Sequence, residues 1–224
     1  MFADTIALTD LEAWDSEAAV LGDSIRSLIA ISTLASANRP SAVAQIAQRR
    51  LDQLGHLSDK VHFVQQTRES ILKMTSIMGT PKGINALSSL MGQINKDSEV
   101  AGALAEQPPL RTRDSFDYDQ IRGRGEGLFQ SIYGRHTQRV LGNLGALYPD
   151  LAEVILVDSY GHLLAETRYL NGMETELCAI GSLIPQDVPS QLKSHCIGAG
   201  RLGATEEMVQ AAIRLAKLAC FKRI

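Results

Sequence analysis

The chain has 224 residues, 45% of them hydrophobic, with 22 basic and 25 acidic side chains and a formal net charge of −3. That is enough to bury a core in one or two small domains, and the near-balance of charge, with no dense basic run, excludes bulk attraction to nucleic acid. No apolar run reaches about 18 residues, so no membrane span is expected, and three cysteines suggest a reducing, cytoplasmic compartment instead of a disulfide framework.

The opening MFADTIALTDLEAWD is acidic and lacks the basic start of a secretory leader. Residues 8–36 give two helical segments, the first capped by Thr9 or Asp10 and containing Trp14, the second an apolar run from Leu21 to Ala35. Asn38–Arg39–Pro40 breaks it. Ser41 to Leu54 reads as a helix with Val43, Ile46, Ala47 and Leu51 on one face. Gly55 ends it, Val61 to Met78 is a long amphipathic helix, and Gly79–Thr80–Pro81 turns the chain into another starting near Lys82.

Residues 96–118, with Pro108–Pro109 and little apolar periodicity, read as a linker between a unit at 1–95 and one at 119–224. Ile121 to Tyr133 follows, with a glycine-containing start at Arg122–Gly123–Arg124–Gly125 that lacks the ending of a phosphate loop. Val140, Leu144 and Leu147 mark the next helix, and Pro149–Asp150 opens one carrying Leu151, Val154, Ile155 and Tyr160.

Glu174–Lys217 reads as three consecutive helices. On the first, Leu177, Ile180, Leu183 and Ile184 recur at helical spacing with Glu176 beside them. The second starts at Pro189, with Asp187 or Ser190 available to cap it, and His195 lies between Leu192 and Ala199 on its apolar face. Gly203 suits a helix C-terminus, and Thr205 caps the third helix, with Glu206 and Glu207 in its first turn. A buried carboxylate needs a partner, and an imidazole is an economical one; such a pair can move protons near neutral pH. The plainer alternative is a surface glutamate and a satisfied core histidine.

Shifting the second half back by 149 positions sets Leu177, Ala179, Ile180 and Leu183 on Leu28, Ala30, Ile31 and Leu34, and Pro189–Ser190 on Pro40–Ser41. Ser27 then replaces Glu176 and Ile46 replaces His195. The first unit reads as a degenerate copy without the ionisable pair.

Thr175–Glu176–Leu177, then Gln191–Leu192, His195, Gly198–Ala199 and Gly203–Ala204–Thr205–Glu206–Glu207 resemble the carboxymuconolactone decarboxylase family, the superfamily of alkylhydroperoxidase D. Arg68 to Lys73, Gly79, Pro81 and Asn85–Ala86–Leu87 resemble that family's closing segment. The resemblance implies an all-α, alkylhydroperoxidase-D-like bundle of two tandem copies, a homo-oligomer, and a proton relay of Glu176 and His195. Gln191, one turn before His195, and Tyr160 are candidate binders of a small carboxylate or lactone. The peroxidase branch's C-x-x-C positions are Val188 and Gln191 here, and Cys178, Cys196 and Cys220 have no such spacing. The expected function is therefore acid/base chemistry, decarboxylation or lactone conversion, on a small organic acid. A non-catalytic helical scaffold or binding subunit is the alternative, and a hydroperoxide reductase with atypical cysteine use is third. No cofactor signature, H-E-x-x-H helix or zinc spacing is present, so no metal is expected. The closing Lys222–Arg223–Ile224 does not match the S-K-L peroxisomal address.

Overall fold

Helical periodicity in the sequence becomes helix throughout: in the computed structural model, which describes residues 8–221, all regular structure is helical. Met1–Ala7 of the acidic opening and Lys222–Arg223–Ile224 lie outside the described residues. In order the helices are α1 Leu8–Glu17, α2 Asp23–Ser36, α3 Pro40–Asp52, α4 Leu57–Met78, α5 Thr80–Ile94 and α6 Ser98–Ala105. Next come α7 Tyr118–Tyr133, α8 Thr137–Leu147, α9 Pro149–Val154, a π-helix over Ile155–Leu164, α10 Gly172–Leu183, α11 Pro189–Arg201 and α12 Glu206–Phe221. Among the described residues, no helix is long and apolar enough to cross a membrane.

The core is built on two helices that are enclosed on every side along most of their length. Leu28 through Ser36 of α2 and Thr175 through Leu183 of α10 are buried without interruption, as expected of helices enclosed by others. They lie against each other, with α3, α4 and α12 around α2, and α4, α11 and α12 around α10. Serine hydroxyls stitch the seam: Ser36 Oγ donates to Ser182 O at 2.7 Å, and Ser182 Oγ to Ser32 O at 3.2 Å. Each satisfies a hydroxyl that would otherwise cost about 1–3 kcal/mol to bury.

Three local features depart from the sequence reading. Residues 98–105 form α6, with Val100 and Leu104 buried, where an irregular linker is expected; Asp97 caps it by accepting from the backbone N–H of Glu99 and Val100. The helix opened by Pro149 widens into the π-helix after Val154. The cap position of α11 is Val188, with no side-chain cap from Asp187 or Ser190.

The π-helix is held from two sides. It packs on α7 backbone to backbone: a Cβ added at Gly125 would overlap the carbonyl oxygen of Leu156, and one at Gly161 the carbonyl oxygen of Ile121, so both positions require glycine. At its C-terminal end, the buried Nζ of Lys73 donates to the carbonyls of Leu164 at 3.1 Å and Glu166 at 2.5 Å, and to Thr175 Oγ1 at 2.8 Å. One ammonium thus ties α4 to the end of the π-helix and to the first turns of α10. Burial pulls its pKa down to about 8.

Candidate functional site

Glu176 and His195 meet because α10 and α11 cross closely. An Asn171–Glu174 capping box starts α10 and sets its register. Proline at N1 starts α11. His195 Nδ1 lies 2.9 Å from Glu176 Oε2, and both residues are buried, 8% and 1% exposed. The approach depends on Gly198, where an added Cβ would fall 2.6 Å from Glu176 Oε2 and 2.8 Å from Ile132 Cγ2.

Burial alone would lower the histidine's pKa, but the charge of Glu176 and its hydrogen bond outweigh that and hold it above 6.5. The carboxylate fixes the Nδ1 side of the ring. The other oxygen, Glu176 Oε1, is buried without a hydrogen-bond partner among the described residues.

His195 lines a cavity of about 700 Å³, together with Gln191, Phe129, Tyr133, Tyr160 and Leu144. Its size falls within the range of small-molecule sites. Tyr160 comes from the π-helix, and its hydroxyl lies 3.3 Å from that of Tyr133 on α7. Phe129 stacks on Tyr133 with ring centroids 4.2 Å apart and meets Tyr160 edge-on at 4.8 Å. Burial pushes the pKa of both tyrosines up, that of Tyr160 well up, so both present neutral phenol O–H groups. Gln191 is exposed at the rim and has no protein hydrogen-bond partner among the described residues.

The structure thus brings His195, Gln191 and Tyr160 to one cavity, with Glu176 directly behind the imidazole. The sequence reading missed Tyr133 and Phe129. Their signal is the i, i+4 aromatic spacing on α7, a stacking geometry in a helix. Among the described residues, no group of three or more His, Cys, Asp or Glu side chains could hold a metal.

No family model matches the chain, and no solved structure does. Two curated relatives match. Peroxisomal protein 2 of Schizosaccharomyces pombe is 30% identical over 189 residues, covering 84% of this chain and 82% of its own length. The chain belongs to this family. Peroxisomal protein 2 of Saccharomyces cerevisiae is 34% identical over 172 residues, covering 67% of this chain; the match spans 59% of that relative's length.

This corrects the resemblance to carboxymuconolactone decarboxylases, and with it the expected decarboxylase or lactone-converting function and the peroxiredoxin-type reading. The physical reason lies in what the matching residues do. Gly198 admits the Glu176 carboxylate, Gly203 ends α11 at φ +108°, and Thr205 Oγ1 accepts from Met208 N at 3.2 Å. Glu206 and Glu207 sit in the first turn of α12. Helix ends and close crossings demand these residue types in any bundle. The thiols also argue against peroxide chemistry: burial pushes Cys178 and Cys220 up to about 12 and raises Cys196. The cytoplasmic expectation is corrected too, since the relatives are named as peroxisomal proteins.

Proposed function

We propose that this chain is a non-catalytic, peroxisomal binding protein whose cavity beside His195 holds a neutral small molecule with an apolar body and one carbonyl or hydroxyl end. The single observation that carries this reading is the pairing of His195 with Glu176 at the cavity wall. The carboxylate already balances the imidazolium, so the cavity wall offers hydrogen-bond donors and no uncompensated positive charge. Of a carboxylate and a lactone, such a wall favours the lactone, because an unpaired anion would lose its hydration without a counter-charge. His195 Nε2, whose ring partner Glu176 occupies the opposite nitrogen, is the donor aimed at the ligand, and Tyr160 and Tyr133 supply further O–H groups. Gln191 contacts the ligand at the rim.

Calorimetric titration with γ-octalactone tests this, followed by mass spectrometry of the recovered ligand. Saturable binding that is weakened in His195→Leu, with the lactone returned intact, supports the reading. Absence of saturation, or an opened lactone ring, contradicts it. The peroxisomal location rests on the family. A fluorescent fusion at the N-terminus, expressed in yeast, should coincide with a peroxisomal marker; a diffuse signal would refute it.

We also propose that 1–95 and 119–224 are related copies joined by 96–118. The helix starts support this: Asp23 and Pro40 head α2 and α3, and Gly172 and Pro189 head α10 and α11, 149 positions later in both cases (172 − 23 and 189 − 40). Ile46, at the position matching His195, is buried in the core, so the first copy contributes packing and no second cavity of this kind.

A further inference from the structure

A second cleft, of about 360 Å³, opens on the face of α4 that carries Arg68, Glu69 and Leu72, and is closed by Pro108–Pro109 and Leu87. Its charges are unevenly matched. Glu69 is 6% exposed and is gripped by both Nη atoms of Arg111, at 3.1 and 2.6 Å. Two more N–H groups of Arg111 go to the carbonyls of His162 and Leu163, at 2.9 and 3.3 Å, which commits four of the five donors of that guanidinium. Arg68 is different. Its one hydrogen bond among the described residues is to Gln65 Oε1 at 3.2 Å, and Gln65 in turn donates to the Tyr169 hydroxyl at 3.2 Å.

Arg68 therefore sits half-buried in the cleft, oriented by a neutral amide and in no ion pair among the described residues, since the Glu69 carboxylate in the same cleft is held by Arg111. Two guanidinium groups, of Arg68 and Arg111, thus line the cleft with the carboxylate of Glu69, which is paired with Arg111. Guanidinium N–H groups match a carboxylate's two oxygens in geometry and charge. Leu72, Leu87 and the two prolines offer the remainder of the ligand an apolar wall.

We propose that this cleft is a binding site for a small organic monocarboxylate, with Arg68 holding the carboxylate and the leucine–proline wall holding its apolar part. This is separate from the neutral-ligand cavity beside His195, and neither site depends on the other being correct.

Benzoate is the probe, titrated into the full chain by calorimetry. The wild type should bind it saturably, His195→Gln should bind it equally well, and Arg68→Gln should weaken it about tenfold or more, the loss of one charge-assisted bond pair. Arg68→Lys, which keeps the charge and loses the fork, should fall between, and guards against misreading an unfolded Arg68→Gln. Lack of saturable binding, unchanged affinity in both Arg68 variants, or loss in His195→Gln with retention in Arg68→Gln would each overturn the proposal.

Discussion

A Cβ on residue 198 would lie 2.6 Å from the Glu176 carboxylate oxygen that holds His195, so the absence of a side chain at Gly198 is what lets α10 and α11 share an ion pair. Gly198→Ala forces that oxygen or the helix to move. Overpacking of this kind costs about 1–3 kcal/mol. Chemical denaturation should show a loss of that size, and lactone binding should fall with it. An alanine variant as stable as wild type would mean that the crossing is looser than described.

The histidine makes stability depend on pH in a defined direction. Its folded-state pKa lies above its ordinary 6.5 because Glu176 overrides the effect of burial. The folded protein therefore keeps a proton that the unfolded chain would release. The pair's stabilisation is complete below about pH 6.5 and fades as pH rises through the folded-state value. The difference in melting temperature between wild type and His195→Gln should be greatest at acid pH and shrink upward. A difference that grows with pH would contradict the pairing.

Lys73 is the joint between α4, the π-helix and α10. Lys73→Met keeps the volume but strips the carbonyls of Leu164 and Glu166 of their donor. Each buried acceptor left alone costs about 1–3 kcal/mol, against some relief from removing a buried charge. The net expectation is a loss of about 2 kcal/mol. Amide exchange in 164–170 should speed up more than exchange in α2. Uniform acceleration, or none, would argue against a local joint.

Tyr160→Phe removes one hydroxyl from the cavity and leaves its edge-on ring contact with Phe129 in place. Lactone affinity should fall by about 1 kcal/mol, roughly fivefold, with the melting temperature little changed. Equal affinity would place the ligand's polar end away from the tyrosines.

Much of the fold was legible because period-3.6 apolar spacing and proline starts write helix boundaries directly. Pro189 opens a helix as read, and Pro40, read as part of the break before Ser41, is itself the first residue of α3. The Glu176–His195 contact was legible too, since an ionisable residue on each of two apolar faces leaves few other partners. The π-helix was not: its wider winding leaves Leu156, Val157 and Tyr160 inward with no spacing that differs visibly from an α-helix. Helix α6 was hidden because Val100 and Leu104 make just one turn of pattern. The family was misread because helix caps and small-residue crossings imitate a motif. Arg68 and Arg111, 43 positions apart (111 − 68), are brought to one cleft by tertiary folding alone.

The most direct measurement is the ¹⁵N resonance of the His195 imidazole during titration with γ-octalactone. The account predicts that Nε2 shifts in step with saturation, that Nδ1 keeps its hydrogen bond to Glu176, and that the lactone stays intact. An Nε2 resonance unmoved at saturation, or a lactone consumed as the spectrum is recorded, would contradict it.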